Sequence, residues 1–429
     1  MSDRSVASRR AFLQAGAATA ISSVLPIARS AHAAGSDVLR VGLVGCGGRG
    51  TGAAAQALLA DPQARLVAMA DVFGDRIAGS LKRIQNARPK QVDVSPERQF
   101  EGFDAYRNLL ECVDVVLLAT PSHFHPIHLK AAVEAGRHVF VEKPHGVDPA
   151  QVRMLQQACA EAARKRLCVV SGLCYRYHQG MQETMKRIQD GAIGEVLCVQ
   201  ETYMTGFSWT RPRLPDDTEM KYHLRNWYNF TWLSGDLPGL TLVHSLDKGS
   251  WALGDVPPAR AWGEGGRQVR VGPEYGDVFD HHAIVYEYES GARMYGYVRQ
   301  HSGCYNSVED HIFGTKGRCE LQRCRILGAT PWEYAGRVRP MHEQEHVALF
   351  EAIRGGRPIN NGKYMVISTM LAVMGRLATY TGRAITWEEA MHSKLSLAPA
   401  AYTWDTAPPT LPDAEGKYPI AMPGVTPLV

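Results

Sequence analysis

Glu142-Lys143-Pro144 follows directly on the apolar run Val139-Phe140-Val141. A glutamate and a lysine there can be two solvated charges at a strand end. They can equally be a proton-transfer group and its neighbour, held at the mouth of a sheet. Upstream, Gly45-Cys46-Gly47-Gly48-Arg49-Gly50 fits G-x-G-x-x-G. Glycines at this spacing let the chain turn tightly and bring backbone N–H groups against a pyrophosphate at a helix N-terminus. The pattern alone is weak. Here it stands between the strand-like run Leu39 to Val44 and an Ala-rich helical run to Ala60, which is the context a dinucleotide site needs. Asp71 ends the next strand-like run, "ARLVAMAD", about 20 residues beyond the last glycine. A carboxylate at that place bonds the ribose hydroxyls of NAD and repels the 2′-phosphate of NADP. Arg76 lies near enough to soften that preference. Asp71 also suits the N-cap of the helical run from Gly74.

The elements that must position these residues read as alternating strands and helices. A run rich in apolar residues, Val113 to Ala119, fits a parallel strand covered on both faces. Thr120, Pro121 and Ser122 leave its carboxyl end, and His125 and His128 follow on a helix. His123, His125 and His128 carry no accompanying carboxylate or cysteine, so no metal site is expected. In open α/β sheets, ligands bind beyond the carboxyl ends of the strands. The loops carrying Gly47, Thr120 and Lys143 therefore converge on one crevice.

The series G-x-G-x-x-G, Asp71, Ala119-Thr120-Pro121-x-x-x-His125 and Glu142-Lys143-Pro144 resembles the glucose–fructose oxidoreductase / inositol dehydrogenase / MocA (Gfo/Idh/MocA) family. The resemblance implies an N-terminal Rossmann domain that binds NAD, with NADP disfavoured. A C-terminal α+β domain with a largely antiparallel open sheet would follow. It places Lys143 at the hydride-transfer site and Glu142 beside the nicotinamide. Gly45, Gly47, Gly48, Arg49, Gly50, Asp71, Arg76, Thr120, Pro121, Ser122, His125 and Glu142 would hold the cofactor. Tyr175-Arg176-Tyr177-His178 is similar to the family's Y-R-F-x-P segment, whose side chains face the cofactor, and this adds Arg176 and a possible donor in Tyr175. His244 matches the family's active-site histidine. Relatives often carry an acidic residue four positions before it. Here that residue is Leu240, which leaves Asp247, at i+3, as the nearest carboxylate partner in sequence.

The second domain has a different texture. The runs "HHAIVYEYES", "ARMYGYVRQ" and "SVEDHIFGT" alternate, as expected for an antiparallel sheet with one covered and one open face. Tyr286, Tyr288, Tyr295 and Tyr297 on an open face would suit a partner sheet, and the family resemblance implies a homodimer or homotetramer formed through it. The segment from Tyr203 to Asp236 is dense in aromatics and arginines, a composition suited to carbohydrate. Tyr177, Tyr203, Arg225, Trp227, His244 and His282 are candidates for substrate contact. Two helices from Glu345 onward would pack back on the first domain, and the proline-rich end would form a surface strap. The expected division is 1–33 signal, 36–167 cofactor domain, 168–395 substrate domain and 396–429 tail.

Composition narrows the classes. Lys and Arg number 47 against 43 Asp and Glu, a net charge of +4, which supports neither a nucleic-acid stripe nor a polybasic membrane patch. Nine cysteines lack a C-x-x-C pair, and the Cys319/Cys324 pair reads as thiols. Ser8-Arg9-Arg10-Ala11-Phe12-Leu13, a short apolar stretch and Ala31-His32-Ala33 read as a twin-arginine signal with a cleavage site. The expectation is thus a periplasmic, NAD-linked oxidoreductase acting on a secondary hydroxyl of a sugar, glycoside or cyclitol, with no membrane insertion after cleavage. Some family relatives are glycoside hydrolases that oxidise C3 transiently and return the cofactor unchanged, which is the second expectation. A non-catalytic sugar-binding protein is the third.

Overall fold

The computed structural model describes residues 37–428. The twin-arginine pattern and its cleavage site lie outside these residues. Among the described residues no helix is long and apolar enough to cross a membrane.

The first sheet has six strands: β1 (Leu39–Val44), β2 (Ala64–Asp71), β3 (Gln99–Glu101), β4 (Val115–Leu118), β5 (His138–Val141) and β6 (Val169–Ser171). Their spatial order is β3-β2-β1-β4-β5-β6, and every pair is parallel. This is the doubly wound order, with its switch point between β1 and β4. The central strands are buried along nearly their whole length because helices cover both faces. β6 corrects the expected boundary at 167. Val139 to Val141 pair in parallel with Val169 to Ser171, so the first domain runs at least to Ser171.

Nine strands form the second sheet: β7 (Val196–Thr205), β8 (Arg260–Gly266), β9 (His281–Glu287), β10 (Arg293–Gln300), β11 (Asp310–Gly314), β12 (Gly317–Glu320), β13 (Arg325–Gly328), β14 (Trp332–Glu333) and β15 (Ile385–Thr386). The order is β14-β13-β12-β11-β7-β10-β9-β8-β15. All neighbours are antiparallel except β7 and β10. Tyr295 and Tyr297 alternate with buried residues and sit on the open face. Tyr286 and Tyr288 do not join them, a second correction. The register pairs Tyr295 with Val285, so Tyr286 points to the covered face, where its hydroxyl donates to the Leu371 carbonyl at 2.8 Å.

The helix Gly362–Thr381 covers that face. It is apolar around most of its circumference and buried at nearly every position, as expected for a helix packed on more than one side. It lies against the second sheet and against the helix Pro149–Arg164. The helix Met341–Arg354 returns to the first domain, where Arg354 forms a paired contact with Asp61 at 2.5 and 2.9 Å. The tail after His392 has no helix or strand. Its Trp404 stacks near Phe73 and Phe103, and its Tyr402 bonds His123 at 2.8 Å. All nine cysteines are free thiols.

Candidate active site

A cleft of about 810 Å³ runs along the carboxyl ends of β1, β2 and β4. Gly45 begins it with φ +95, a conformation L side chains rarely adopt, and its N–H donates to the Ala70 carbonyl at 2.8 Å. A Cβ on Gly50 would fall 1.9 Å from the Gly45 carbonyl oxygen, so helix and turn can approach this closely only with glycine. A Cβ on Gly47 or Gly48 would meet nothing within 4 Å, and both glycines line the cleft where the helix Gly48–Ala60 starts. This is the cradle a pyrophosphate requires.

Asp71 stands at the end of β2. Its Oδ2 accepts the Cys46 N–H at 2.7 Å and its Oδ1 the Phe73 N–H at 3.0 Å. The carboxylate is therefore oriented by the glycine loop. Burial pushes its pKa up while Arg76 and these N–H groups oppose that. It is not the N-cap of the next helix, because Phe73 holds that position. Arg76 lines the same wall, with its own pKa lowered by burial. Arg211 and Arg225 approach from the second domain and add positive charge beside it. Thr120 and Pro121 form the facing wall, where the Thr120 hydroxyl is closed off and lacks a partner. The residues of this cleft fit a dinucleotide: a glycine cradle, a ribose carboxylate and an unpartnered hydroxyl.

Arg49 connects this cleft to β5. It lines the cleft, and its guanidinium pairs with Glu142 and, at 2.9 Å, with Glu345 of the returning helix. Glu142 is thus fixed by the glycine loop itself. Lys143 is half-buried next to it, and its ammonium donates to the backbone carbonyl of Leu240. That carbonyl is offered by a wide helical turn, Pro238–Leu242, of the kind often found at functional sites. Burial pulls the Lys143 pKa down and Arg49 adds to this, while Glu142 opposes it. Leu240 accordingly serves the lysine with its backbone. Its side chain is buried and apolar.

His244 opens the next helix, Val243–Ala252, with its ring edge-on to Tyr175 at 5.5 Å. Its Nδ1 is closed from solvent and unpartnered. Burial drives its pKa well below the ordinary value, and Lys143 and Lys248 reinforce this, so the imidazole is neutral. Lys248 lies 4.2 Å over the Tyr175 ring and pairs with Asp310. Tyr203 completes this group from β7, within electrostatic range of Tyr175 and Lys248. The structure thus brings Lys143, Tyr175, Tyr203 and His244 near one another.

Several expected contacts are not made. Asp247 is not the partner of His244. It binds Arg176, whose Nε lies 2.9 Å from its Oδ2, and it accepts from Ser368 at 2.8 Å. Arg176 does not line the cleft: it pairs with Asp247 and Asp255 between the rings of Trp251 and Tyr364. Tyr177 donates to Asn361 at 2.7 Å, and His282 is buried against Thr379 and Asp236. Neither reaches the site. Arg225 and Trp227 line the cleft, but at the Asp71 end, where Arg225 lies 4.3 Å over the Phe73 ring. Ser122 and His125 are buried behind the wall, and His125 Nδ1 lies 2.7 Å from the Pro144 carbonyl. His123, His125 and His128 share no ligand point.

The sequence reading missed Cys174, His342 and Glu345, whose polar atoms cluster beside Arg49. Only Arg49 pointed there, as a charged residue inside a loop where small residues suffice. The His244 position carries a further expectation. With no acidic partner, its neutral ring can hold a substrate hydroxyl but cannot be a strong base. His244→Ala is expected to lower kcat/KM about tenfold, less than the roughly 10²- to 10⁴-fold usual for a group that transfers the proton, without moving the pH profile. Steady-state kinetics across pH would show it.

Residues 39–171 match the family model described as "Oxidoreductase family, NAD-binding Rossmann fold". A glycosyl hydrolase family 109 protein of Bacteroides fragilis is 28% identical over 190 residues, 44% of this chain and 39% of the relative. An inositol 2-dehydrogenase of Saccharopolyspora erythraea is 26% identical over 258 residues, 60% of this chain and 65% of the relative. The chain thus spans about half the length of the curated relatives it matches. Among solved structures, the aldose–aldose oxidoreductase of Caulobacter crescentus shares the fold with a TM-score of 0.64 at 19% identity, covering 81% of this chain and 99% of the other. With the glycine cradle, Asp71 and Glu142-Lys143 in place, residues 39–171 are similar to the NAD-binding Rossmann domain of the Gfo/Idh/MocA oxidoreductase family.

Proposed function

We propose that the protein oxidises or reduces a secondary hydroxyl carbon of a sugar, glycoside or cyclitol. The observation that carries this is Lys143, half-buried, with a depressed pKa, at the carboxyl end of β5 and one residue from the Arg49–Glu142 contact. NAD, when bound, would supply the hydride acceptor. Oxidation also requires the hydroxyl proton to leave, so a base must stand within hydrogen-bond reach. Lys143, in its neutral form, is that base. His244 and Tyr175 hold the hydroxyl, and Arg49 keeps Glu142 and the glycine loop in one frame.

A second reading is favoured by two observations. Trp209, Arg211, Leu214 and Trp227 of the second domain wall the cleft opposite Asp71, and Trp404 of the tail packs behind Phe73. A cofactor enclosed from both domains suits a cycle that returns it unchanged. Relatives named as glycosyl hydrolase family 109 proteins point the same way. In that cycle transient oxidation at C3 acidifies the neighbouring proton, the aglycone is eliminated, and water adds. We further propose export by the twin-arginine route, on the motif at Arg9-Arg10, and association through the sheet face carrying Tyr295 and Tyr297.

Native mass spectrometry of the purified protein separates these readings. Retained NAD with release of p-nitrophenol from aryl glycosides supports the hydrolase. NADH formed in step with a free sugar supports the dehydrogenase. A retained mass matching NADP would overturn the role given to Asp71.

A further inference from the structure

We infer that Asp280, His281 and His301 form a binding site for a divalent late transition-metal ion, such as Zn²⁺ or Co²⁺. None of the three lines the dinucleotide cleft. Asp280 immediately precedes β9 and is fully buried. Its Oδ2 accepts three backbone N–H groups, from Gln268 at 2.9 Å, Val269 at 2.7 Å and Arg270 at 2.9 Å. These fix the carboxylate and leave Oδ1 for other partners. His281 Nδ1 lies 2.8 Å from that oxygen and His301 Nε2 lies 3.0 Å from it. The three donor atoms all fall within 4.8 Å of one another.

Hydrogen bonding accounts for only part of this arrangement. The His281 contact has hydrogen-bond geometry. His301 Nε2 is closed from solvent and nearly as close, in poorer hydrogen-bond geometry, although it helps hold the Asp280 carboxyl well below the usual range. Its ring stands at 78° to that of His281, with centroids 5.8 Å apart. Such spacings suit donors of one ion, since bonds of about 2.0–2.2 Å place neighbouring ligand atoms roughly 3 Å apart. Two imidazoles and one carboxylate select late transition metals over Ca²⁺ and Mg²⁺, which prefer all-oxygen shells. The three N–H groups on Oδ2 are the outer hydrogen bonds that orient a ligating carboxylate. His281 is partly exposed, which gives an ion a way in.

The competing cation demand on Asp280 is small. Arg267 and Arg270 both lie within electrostatic range, but the first guanidinium is held by the backbone carbonyls of Arg270, Gly272 and Gly276 and the second by Asn229 and Gln300. The other cluster of potential ligands, Cys174-His342-Glu345, differs on this point. There Arg49 pairs directly with the carboxylate of Glu345 that would have to bind the ion, and Lys143 lies nearby. An ion on Asp280, His281 and His301 would tie the loop between β8 and β9 to the residue that follows β10. Its effect is to clamp one end of the second sheet.

The test uses the tag-free full chain, stripped with a chelator and titrated with CoCl₂ under visible absorption and with ZnCl₂ by calorimetry. The expected result is saturation at one ion per chain, d–d bands without a sulfur-to-cobalt charge-transfer band, and an unfolding temperature that rises with Zn²⁺. His281→Ala and His301→Ala should each weaken binding at least tenfold while circular dichroism stays native. If His301→Ala does not fold, His281→Gln on the partly exposed ring carries the comparison. Absence of saturable binding to the wild type, or binding unchanged in these variants, overturns the site. A charge-transfer band that disappears in Cys174→Ser also overturns it, by placing the ion at the other cluster.

Discussion

Lys143→Met is expected to lower turnover by about 10²- to 10⁴-fold, the usual loss for a positioned proton-transfer group. Methionine keeps an unbranched stem but cannot exchange a proton, so the glycine cradle and Asp71 remain and dinucleotide affinity should stay near wild type. The Leu240 carbonyl loses its donor, and that alone costs about 1–3 kcal/mol of stability if water does not replace it. The pH profile gives an independent check. Lys143 acts as a base only when neutral, so oxidation should rise with pH through the lysine's pKa. Burial and Arg49 hold that pKa below the ordinary value, and Glu142 raises it. The rising limb therefore lies at lower pH than a free lysine would give, and Glu142→Gln should move it lower still. Near-normal kinetics in Lys143→Met would return the residue to a solvated strand end. A limb unmoved by Glu142→Gln would mean that another group titrates.

The parts of this site legible in the sequence are those fixed by local geometry. Gly45 to Gly50 announce themselves because strand, tight turn and helix must follow within a few residues. Lys143 was legible because it ends a short apolar run, and parallel strands place such ends together. The losses come where a side chain's partner is far away in sequence. His244 and Asp247 share a helix face at i and i+3, but Asp247 turns to Arg176, which no spacing within the helix reveals. Tyrosine parity failed for a related reason. Alternation gives two faces per strand, and only the register of β9 against β10 says which tyrosines share one. The aromatic segment around Trp209 and Trp227 has the composition of a sugar surface, yet chain topology carries it to the cleft that Asp71 lines. Asp280 and His301 belong to one cluster only because β9 and β10 run antiparallel and bring their far ends together.

Arg176→Met is expected to destabilise the protein by about 3–5 kcal/mol, the range for removing one partner of a buried ion pair. Two carboxylates would be left behind. Asp247 is almost completely buried, with Ser368 as its remaining side-chain donor, and Asp255 would keep Ser250 at 3.2 Å. Burial already pushes the Asp247 pKa up, and Arg176 is the main influence holding it down. Without the guanidinium, Asp247 must take up a proton or remain an uncompensated charge, and either outcome weakens the native state. Packing is lost as well, since the guanidinium sits 4.7 Å from the Trp251 centroid and 4.4 Å from that of Tyr364. Arg176→Lys should recover only part of the loss, because an ammonium cannot reproduce the planar fork that reaches both aspartates. The family resemblance of Tyr175-Arg176-Tyr177 had placed this arginine at the cofactor, and the two roles separate in one experiment. Denaturant unfolding and dinucleotide titration should be run on the same preparations. A structural role lowers the unfolding midpoint and leaves the affinity of the folded protein unchanged. Weakened dinucleotide binding at an unchanged midpoint would instead return Arg176 to the cofactor site.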